Sequence, residues 1–214
     1  MIGVEAKGIS MAAVIRFAQP ADAAGILAIY APFCESSCVT FEIVAPTLAQ
    51  MQQRITDITS EYPWILAEID GHIAGYVYGS RYRERVAYQW AVNVAVYVDP
   101  RHQRRGLAQL LYETLFDILR EQGFYKALAG ISLPNPPSVG LHERMGFRAP
   151  AIIPGVGFKL GRWLDVGWWQ LDLQPRRPEP PDPTPFRVMR ENSAVAAAMA
   201  EGQRKLEAQN QVSR

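Results

Sequence analysis

The sequence is poor in metal-binding side chains and has no long apolar run. It contains two cysteines, Cys34 and Cys38, and three histidines, in a spacing that matches neither a disulfide framework nor a zinc site. We therefore expect no metal. No apolar segment approaches the roughly 18 residues of a membrane span, and the N-terminus lacks the apolar core of a signal peptide. These absences predict a cytoplasmic protein without a membrane partner.

The sequence also lacks an excess of charge of one sign. Its 22 basic and 21 acidic residues leave a net charge of +1, whereas nucleic-acid-binding proteins usually carry a basic excess on one face. We therefore expect no nucleic-acid partner. The 214 residues, 49% of them hydrophobic, are enough for one globular domain with its own core.

Proline divides the chain into unequal parts. Six of the 16 prolines lie between residues 174 and 186, a density that excludes helices and central strands. We predict a flexible leader over residues 1–13, a globular domain over 14–173, a proline-rich linker over 174–187 and a helical or disordered tail over 188–214. The tail has a thin apolar stripe of Val195, Met199 and Leu206, which favours an exposed helix over a docked one.

Helix and strand signals alternate through the predicted domain. A first strand is expected at residues 13–17, followed by a helix that Asp22 caps and Pro32 ends. A capping box of Thr47 and Gln50 begins a second helix. The Asp70-Gly71 pair predicts a tight hairpin between strands 64–69 and 72–78, because both residues tolerate positive φ angles.

The second half of the domain continues this alternation. We predict strand 88–98, a helix over Leu107–Gln122 that Gly123 ends, strand 126–131, a short helix over 138–145, and a closing antiparallel pair at 156–159 and 163–173. The expected fold class is α/β (α+β), with a mixed, mostly antiparallel central sheet and helices on both faces.

The junction between strand 88–98 and the next helix is the clearest candidate site. A buried strand enters a basic loop that becomes the first turn of an amphipathic helix, where unpaired backbone N–H groups favour an anion. Gly106 and the small Ala108 allow close backbone approach. This context favours a phosphate-binding loop over a merely basic surface loop.

These residues resemble the acetyl-coenzyme A site of the GNAT superfamily of N-acetyltransferases. Further motifs are similar to its phosphinothricin acetyltransferase-like branch, and the resemblance spans residues 14–173. The motifs are Tyr62-Pro63-Trp64, Ala87-Tyr88-Gln89-Trp90, Leu133-Pro134-Asn135 with Ser138 and Leu141-His142-Glu143, Gly157-Phe158-Lys159, and Asp165-Val166-Gly167-Trp168-Trp169.

The resemblance implies how acetyl-CoA, the expected cosubstrate, is held. Its pyrophosphate would lie on the loop of Gln103, Arg104, Arg105, Gly106, Leu107 and Ala108. Its pantetheine arm would pair like an added strand with Val96, Tyr97 and Val98. Asn135 and Ser138 would hold the far side, although Ser138 could equally cap the short helix.

The resemblance also implies a small acceptor that carries both an amine and an anionic group. Arg83 and Arg85 could converge on the anion, because residues i and i+2 of an extended segment point the same way. A solvated loop is the alternative for these two arginines. Tyr88 and Phe41 complete the candidate acceptor site.

The proton acceptor is the point at which this sequence departs from the family. Asn93 stands where the resembled enzymes carry their proposed catalytic glutamate, and an amide cannot take a proton. His142 matches the family's second proposed catalytic residue, and an imidazole titrates near neutral pH. Tyr97 or Tyr88 could relay a proton through water.

We therefore predict an enzyme that transfers acetyl from acetyl-CoA to the amine of a phosphinothricin-, methionine sulfone- or methionine sulfoximine-type acceptor by direct attack. Alternatives are a non-catalytic acetyl-CoA-binding regulatory module and an acetyltransferase that acts on a protein N-terminus or an aminoglycoside. The branch implies a homodimer, for which Trp168 and Trp169 could supply an apolar contact; core packing of both is equally compatible.

Overall fold

The computed structural model describes residues 13–212. Of the predicted leader, residues 1–12 lie outside the described residues, and Ala13 begins the first strand. Seven strands form one sheet in the order β1-β2-β3-β4-β5-β7-β6, in which only the β4–β5 pair is parallel. The strands are β1 (Ala13–Phe17), β2 (Trp64–Ile69), β3 (His72–Arg81), β4 (Ala91–Val98), β5 (Lys126–Leu133), β6 (Arg148–Lys159) and β7 (Arg162–Asp172). The helices are α1 (Ala23–Ser36), α2 (Leu48–Glu61), α3 (Leu107–Gln122), α4 (Pro136–Arg144), α5 (Phe186–Met189) and α6 (Ser193–Val212).

Several local signals of the sequence are confirmed. The hydroxyl of Thr47 accepts a hydrogen bond from the Gln50 amide, and the Gln50 side chain accepts one from the Thr47 amide, so α2 begins with a capping box. Asp70 and Gly71 have φ angles of 54° and 75°, as a tight turn between β2 and β3 requires. Gly123, with a φ of 93°, ends α3.

The expected end and cap of α1 are wrong. Pro32 lies inside the helix, which continues to Ser36, and the Asp22 carboxylate binds the Arg16 guanidinium instead of capping α1. A proline inside a helix costs one backbone hydrogen bond and some strain. Burial of Tyr30 and Cys34 on either side of Pro32 offsets that cost, because both side chains pack against the sheet.

Two further boundaries differ from the predicted ones. Residues 86–88 form a short 3₁₀ turn, so β4 begins at Ala91 and not at Tyr88. Helix α4 begins at Pro136 because the Asn135 side chain accepts a hydrogen bond from the Ser138 amide at 3.3 Å. Asn135 is therefore the cap, and Ser138 is a residue of the first turn.

The sheet separates two hydrophobic clusters, so helices cover both of its faces as expected. One face packs against α1 and α2 through Ile26, Met51 and Ile55. The other packs against α3 through Leu110, Leu111 and related side chains.

The C-terminal extension packs onto the α3 face. In the predicted tail, Val195 and Leu206 are 0% and 2% exposed, which corrects the expectation of an exposed helix. Phe186, 1% exposed, begins α5 inside the predicted linker, so the last two residues of that linker are helical and not extended. The apolar stripe is thin, but polar contacts supplement it: the Gln203 side chain accepts a hydrogen bond from the Ile15 amide and donates one to the Ala13 carbonyl at the free edge of β1. That residues 14–173 form a domain able to fold without the extension stays a prediction.

Among residues 13–212, no helix is both long and apolar enough to cross a membrane. The cytoplasmic location stays a prediction.

Truncation of one side chain should test whether the extension belongs to the core. Phe186 packs edge-on against Phe17, with ring centroids 4.8 Å apart. We expect Phe186→Ala to lower the free energy of unfolding by about 3–5 kcal/mol, because it removes a buried ring and leaves a cavity. The control is Val188→Ala in the same helix, where the side chain is 66% exposed and the expected loss is below about 0.5 kcal/mol. Equal urea midpoints for the two variants would show that α5 is not part of the cooperative unit.

Candidate active site

The two parallel strands at the centre of the sheet separate along their length. β4 pairs with β5 only through Ala91–Lys126, Val92–Ala127 and Asn93–Leu128. Beyond Asn93 the register between them ends, although each strand continues for five more residues. The backbone between residues 94 and 98 therefore offers a strand edge to an extended ligand that carries its own amides.

The loop after β4 joins the start of α3 to the end of β4 that is no longer paired with β5. The Gln103 side chain donates to the Val98 carbonyl at 3.3 Å, and Arg104 and Gly106 adopt φ angles of 61° and 80°. Helix α3 has no side-chain cap and no acidic residue in its first turn. Its first amides have no intrahelical acceptors, so this end of the helix favours an anion.

The basic residues of this loop divide into paired and unpaired ones. The Arg101 guanidinium bonds both carboxylate oxygens of Asp99, at 3.0 and 2.8 Å, and holds the pKa of that carboxyl at about 2. No carboxylate of residues 13–212 forms an ion pair with Arg104 or Arg105, and both are exposed. Their positive charge therefore remains available to a ligand at the start of α3.

Helix α6 reaches this loop, a contact that no local sequence signal indicates. The Gln209 side-chain nitrogen lies 3.1 Å from the position that a Cβ atom on Gly106 would occupy. Arg105, Leu107 and Leu206 line a small recess beside it. The positive φ of Gly106 is what favours glycine here, because the flexible Gln209 side chain could shift to admit a Cβ atom.

On the opposite face of the sheet, the end of α1 and the loop after it span the gap between β4 and β5. The Tyr97 ring of β4 lies 5.1 Å from the Tyr30 ring and 5.5 Å from the Phe33 ring, centroid to centroid. Ser132 of β5 donates a hydrogen bond to the Cys38 carbonyl. Burial raises the pKa of Tyr97 well above its ordinary value, so its phenol stays protonated at neutral pH.

Asn93 lies at the last paired position before the strands separate. Its side-chain nitrogen donates to the Arg81 carbonyl at 3.2 Å. Its buried side-chain oxygen has no hydrogen-bond partner within the described part of the chain. Because buried polar atoms are usually satisfied, this oxygen is a candidate acceptor for a ligand N–H group.

Arg83, Arg85 and Tyr88 line a surface cavity of about 250 Å³ together with Arg81. Residues 82–88 do not form an extended strand. The expectation that Arg83 and Arg85 point the same way because they are two residues apart on a strand is therefore wrong, although both arginines do line this cavity. Glu84 lies 3.7 Å from Arg81, whereas no acidic residue among residues 13–212 pairs with Arg83 or Arg85. Residues 183–185 of the extension form one wall, and Asn93 is not part of the lining.

Tyr82, which no sequence motif indicated, links Tyr88 at this cavity with Trp168 of β7. The Tyr82 ring packs edge-on against Tyr88 at 5.7 Å and against Trp168 at 5.8 Å, and the Arg83 guanidinium lies 5.1 Å from its centroid. The Trp168 ring packs over Gly130, which lies directly opposite it on β5.

The predicted acceptor residue Phe41 lies elsewhere, in the loop between α1 and α2. Its ring is 40% exposed and stands against the backbone of Gly157 in β6. No contact within the described structure brings Phe41 to Arg83 or Arg85.

His142 is buried on the α3 side, with 4% of its surface exposed. Its Nδ1 lies 2.8 Å from the Ser138 carbonyl, which can only accept, so Nδ1 carries the proton. Its Nε2 then accepts a hydrogen bond from the Tyr112 hydroxyl at 3.0 Å. Burial lowers the pKa of His142. Both ring nitrogens are thus satisfied inside the core, and a catalytic role for His142 stays a prediction.

Comparison with known proteins places the chain among acetyltransferases. The sequence profile of the acetyltransferase (GNAT) family matches residues 29–147. Phosphinothricin N-acetyltransferase of Streptomyces viridochromogenes is 40% identical over 169 residues, which cover 79% of this chain and 91% of that protein. L-methionine sulfoximine/L-methionine sulfone acetyltransferase of Pseudomonas aeruginosa is 35% identical over 172 residues, 79% of this chain and 100% of that protein. The crystal structure of a GNAT superfamily phosphinothricin acetyltransferase from Sinorhizobium meliloti, in complex with acetyl-CoA, has a TM-score of 0.74 at 32% identity, with 82% of this chain and 98% of that one covered.

Burial of neutral His142 should make stability depend on pH. The unfolded histidine titrates near pH 6.5 and the folded one lower, so the unfolded state binds the proton first and stability falls as the pH drops below about 6.5. At pH 7.5 we expect His142→Gln to cost about 1–3 kcal/mol through its lost hydrogen bonds. At pH 5.5 the difference in unfolding free energy between wild type and His142→Gln, measured by urea denaturation, should be smaller than at pH 7.5. The control is His72→Gln, at an exposed position, which should have the unfolding free energy of wild type at both pH values. A constant difference between wild type and His142→Gln would contradict this linkage.

Proposed function

Since the chain belongs to the GNAT family of acetyltransferases, we propose that it moves the acetyl group of acetyl-CoA to the primary amine of a small, anionic, amino-acid-like acceptor. The observation that carries this proposal is the separation of β4 from β5 in front of the uncapped, basic start of α3. The relatives named for phosphinothricin and for methionine sulfoximine and sulfone support the acceptor class.

The residues present fit acetyl-CoA. Its pyrophosphate needs backbone donors and positive charge, which the loop of residues 103–108 and the exposed Arg104 and Arg105 supply. Its pantetheine arm carries amides, which the unpaired strand edge between Val94 and Val98 can bind. When bound, acetyl-CoA supplies an acetyl group activated as a thioester, the electrophile for a neutral amine.

Arg83 and Arg85 bind the anionic group of the acceptor. Two guanidinium groups without ion pairs to described residues line one cavity, and the Tyr88 ring, which packs against Tyr82, gives it an aromatic side. A cavity of this kind suits a carboxylate or phosphinate attached to a short apolar chain.

Asn93 orients the amine instead of deprotonating it. Its unsatisfied side-chain oxygen can accept an amine N–H, and that hydrogen bond directs the nitrogen lone pair away from Asn93. Without a carboxylate at this position, the neutral amine comes from solution, where an α-amino group of pKa near 8 is about one-tenth neutral at pH 7. Partly buried Tyr97 remains protonated, because desolvation raises its pKa, and serves as a donor.

A thiol-release assay tests this function. Acetyl-CoA is incubated with phosphinothricin, methionine sulfone, methionine sulfoximine, an aminoglycoside and an N-terminal peptide, and free coenzyme A is measured. We expect turnover with the amino-acid analogues, which Arg83→Gln and Arg85→Gln reduce through a raised acceptor KM. Tight acetyl-CoA binding with no acceptor-dependent release would favour the regulatory-module alternative, and turnover of only the peptide or the aminoglycoside would favour the other acceptor classes.

The pH profile of the same assay examines Asn93. In wild type we expect kcat/KM to rise about tenfold per pH unit until the amine of the acceptor titrates, because only its neutral fraction reacts. Asn93→Glu should flatten this rise below pH 8 by supplying a base. His142→Gln should lose much less than the roughly 10² to 10⁴ of a general base. Identical profiles for wild type and Asn93→Glu would make Asn93 peripheral.

We propose that the protein is a homodimer that uses the outer face of β6 and β7. Ile152, Phe158 and Trp163 are 56%, 55% and 69% exposed on these two neighbouring strands, and β6 is the free edge of the sheet. An apolar face beside a free edge suits a second copy. Of the two tryptophans considered for this contact, Trp169 follows the core-packing alternative, with 4% of its surface exposed, and Trp168 packs against Tyr82.

One charge on this face tests the dimer. We expect wild type to sediment at twice the mass of the 23.9 kDa chain and Trp163→Glu to shift toward the single chain, because the glutamate would be desolvated at the interface. Trp163→Phe is the control and should remain dimeric. A wild-type protein that sediments as one chain at about 50 µM would refute the proposal.

A further inference from the structure

Lys159, the last residue of β6, is a buried cation. Only 4% of the Lys159 surface is exposed. Its ammonium group donates hydrogen bonds to three backbone carbonyls: Phe33 at 3.1 Å, Thr40 at 2.7 Å and Glu42 at 2.8 Å. An ammonium group has three N–H donors, so these contacts use all of them.

Burial of the Lys159 charge by itself lowers the stability of the fold. Within residues 13–212 no carboxylate forms an ion pair with Lys159, and the Glu42 carboxylate lies 2.9 Å from Arg54 instead. Burying a charge is unfavourable unless dipoles or counter-charges replace its water. Here the three carbonyl dipoles replace it, so the position of the ammonium group and the position of those peptide groups depend on each other.

The carbonyls belong to the end of α1 and to the segment of residues 37–47, called here the acceptor-side loop. The loop has no helix or strand, and side chains tie it to the domain: Tyr30 bonds the Thr40 hydroxyl at 2.9 Å, and Ser132 donates to the Cys38 carbonyl. Thr40 and Glu42 stand on either side of Phe41, so Lys159 fixes the backbone immediately before and after this residue.

Gly157, two residues before Lys159, provides the surface on which Phe41 rests. A Cβ atom on Gly157 would overlap the Phe41 ring, so only glycine allows the ring to lie on the strand. The Gly157-Phe158-Lys159 segment therefore contacts Phe41 in two ways: Gly157 packs against its ring, and Lys159 clamps the backbone on either side of it through hydrogen bonds.

We propose that Lys159 is a positioning residue: it seats Phe41 against Gly157 and fixes the loop of residues 37–47 beside the β4–β5 gap, and so sets the space for the reacting end of the acceptor, away from the arginine cavity. This inference rests on the proposed function. The Cys38–Ser132 hydrogen bond carries the same loop across the gap between β4 and β5, so a shift of the loop changes the space open to the acceptor. The coenzyme side, built from residues 103–108, lies on the other face of the sheet, and the hydrogen bonds of Lys159 all go to residues 33, 40 and 42.

Replacement of the ammonium group tests the proposal. Lys159→Met keeps the length of the side chain and removes its donors. We expect the acceptor KM to rise about tenfold or more through displacement of Phe41, with the acetyl-CoA KM within about twofold of wild type. The matched control is Lys126→Met, which removes a half-buried ammonium group that pairs with Asp172 in a different part of the sheet. It should leave both constants near wild type.

A double-mutant cycle separates positioning from general stability. Phe41→Ala should raise the acceptor KM by itself, and adding Lys159→Met to it should raise the KM no further, because the ring that Lys159 positions is gone. Independent, multiplicative effects would overturn the proposal, as would a Lys159→Met enzyme that is less stable but has a wild-type acceptor KM.

Two further measurements cover the other outcomes. If Lys159→Met does not fold, Gly157→Ala keeps the clamp and displaces only the ring, and a wild-type acceptor KM in that variant would refute the proposal. If wild type acetylates no acceptor, the proposed function fails, and positioning is read from chymotrypsin cleavage after Phe41. Lys159→Met should then be cut about tenfold faster than wild type and Lys126→Met, and equal rates would refute the clamp.

Discussion

The end of pairing between β4 and β5 is the constraint on which the rest of the structure depends. Beyond Asn93 and Leu128 the two strands need other partners, and elements on both faces of the sheet are arranged around the gap. On one face α3 begins at its wide end with an uncapped, positively polarised turn. On the other, Tyr97 packs against α1 and the acceptor-side loop reaches Ser132. The opening is therefore built into the sheet itself.

Polar side chains away from the candidate site have partners within the protein, whereas several at the candidate site have none among the described residues. Arg101 pairs with the Asp99 carboxylate, and Lys159 donates all three of its N–H groups to backbone carbonyls. Arg83 and Arg104 have no ion pair with the described residues, and the Asn93 oxygen has no hydrogen bond. Groups that lack internal partners beside an opening can gain free energy from a ligand, whereas paired groups cannot.

The C-terminal extension is joined to both ends of the candidate site. Residues 183–185 wall the arginine cavity, and Gln209 lies against Gly106 at the start of α3. Between these points Gln203 satisfies the free edge of β1, and Gly202 allows α6 to approach Thr114 of α3 closely. The extension thus covers apolar surface that would otherwise face water, and it supports the loops at both ends.

Local chemistry determined much of this protein from sequence alone. The Thr47 capping box, the Asp70-Gly71 turn and the glycines that flank α3 act within a few residues, so their signals survive without the fold. The same holds for the strand–loop–helix motif that resembles a coenzyme site. Tertiary structure decided Pro32 inside α1, the burial of His142, the docking of α6 and the clamp of Lys159 on Thr40, 119 residues away in the chain. These features depend on side chains that meet only after folding, where burial free energy outweighs local preference and no short sequence pattern reports it.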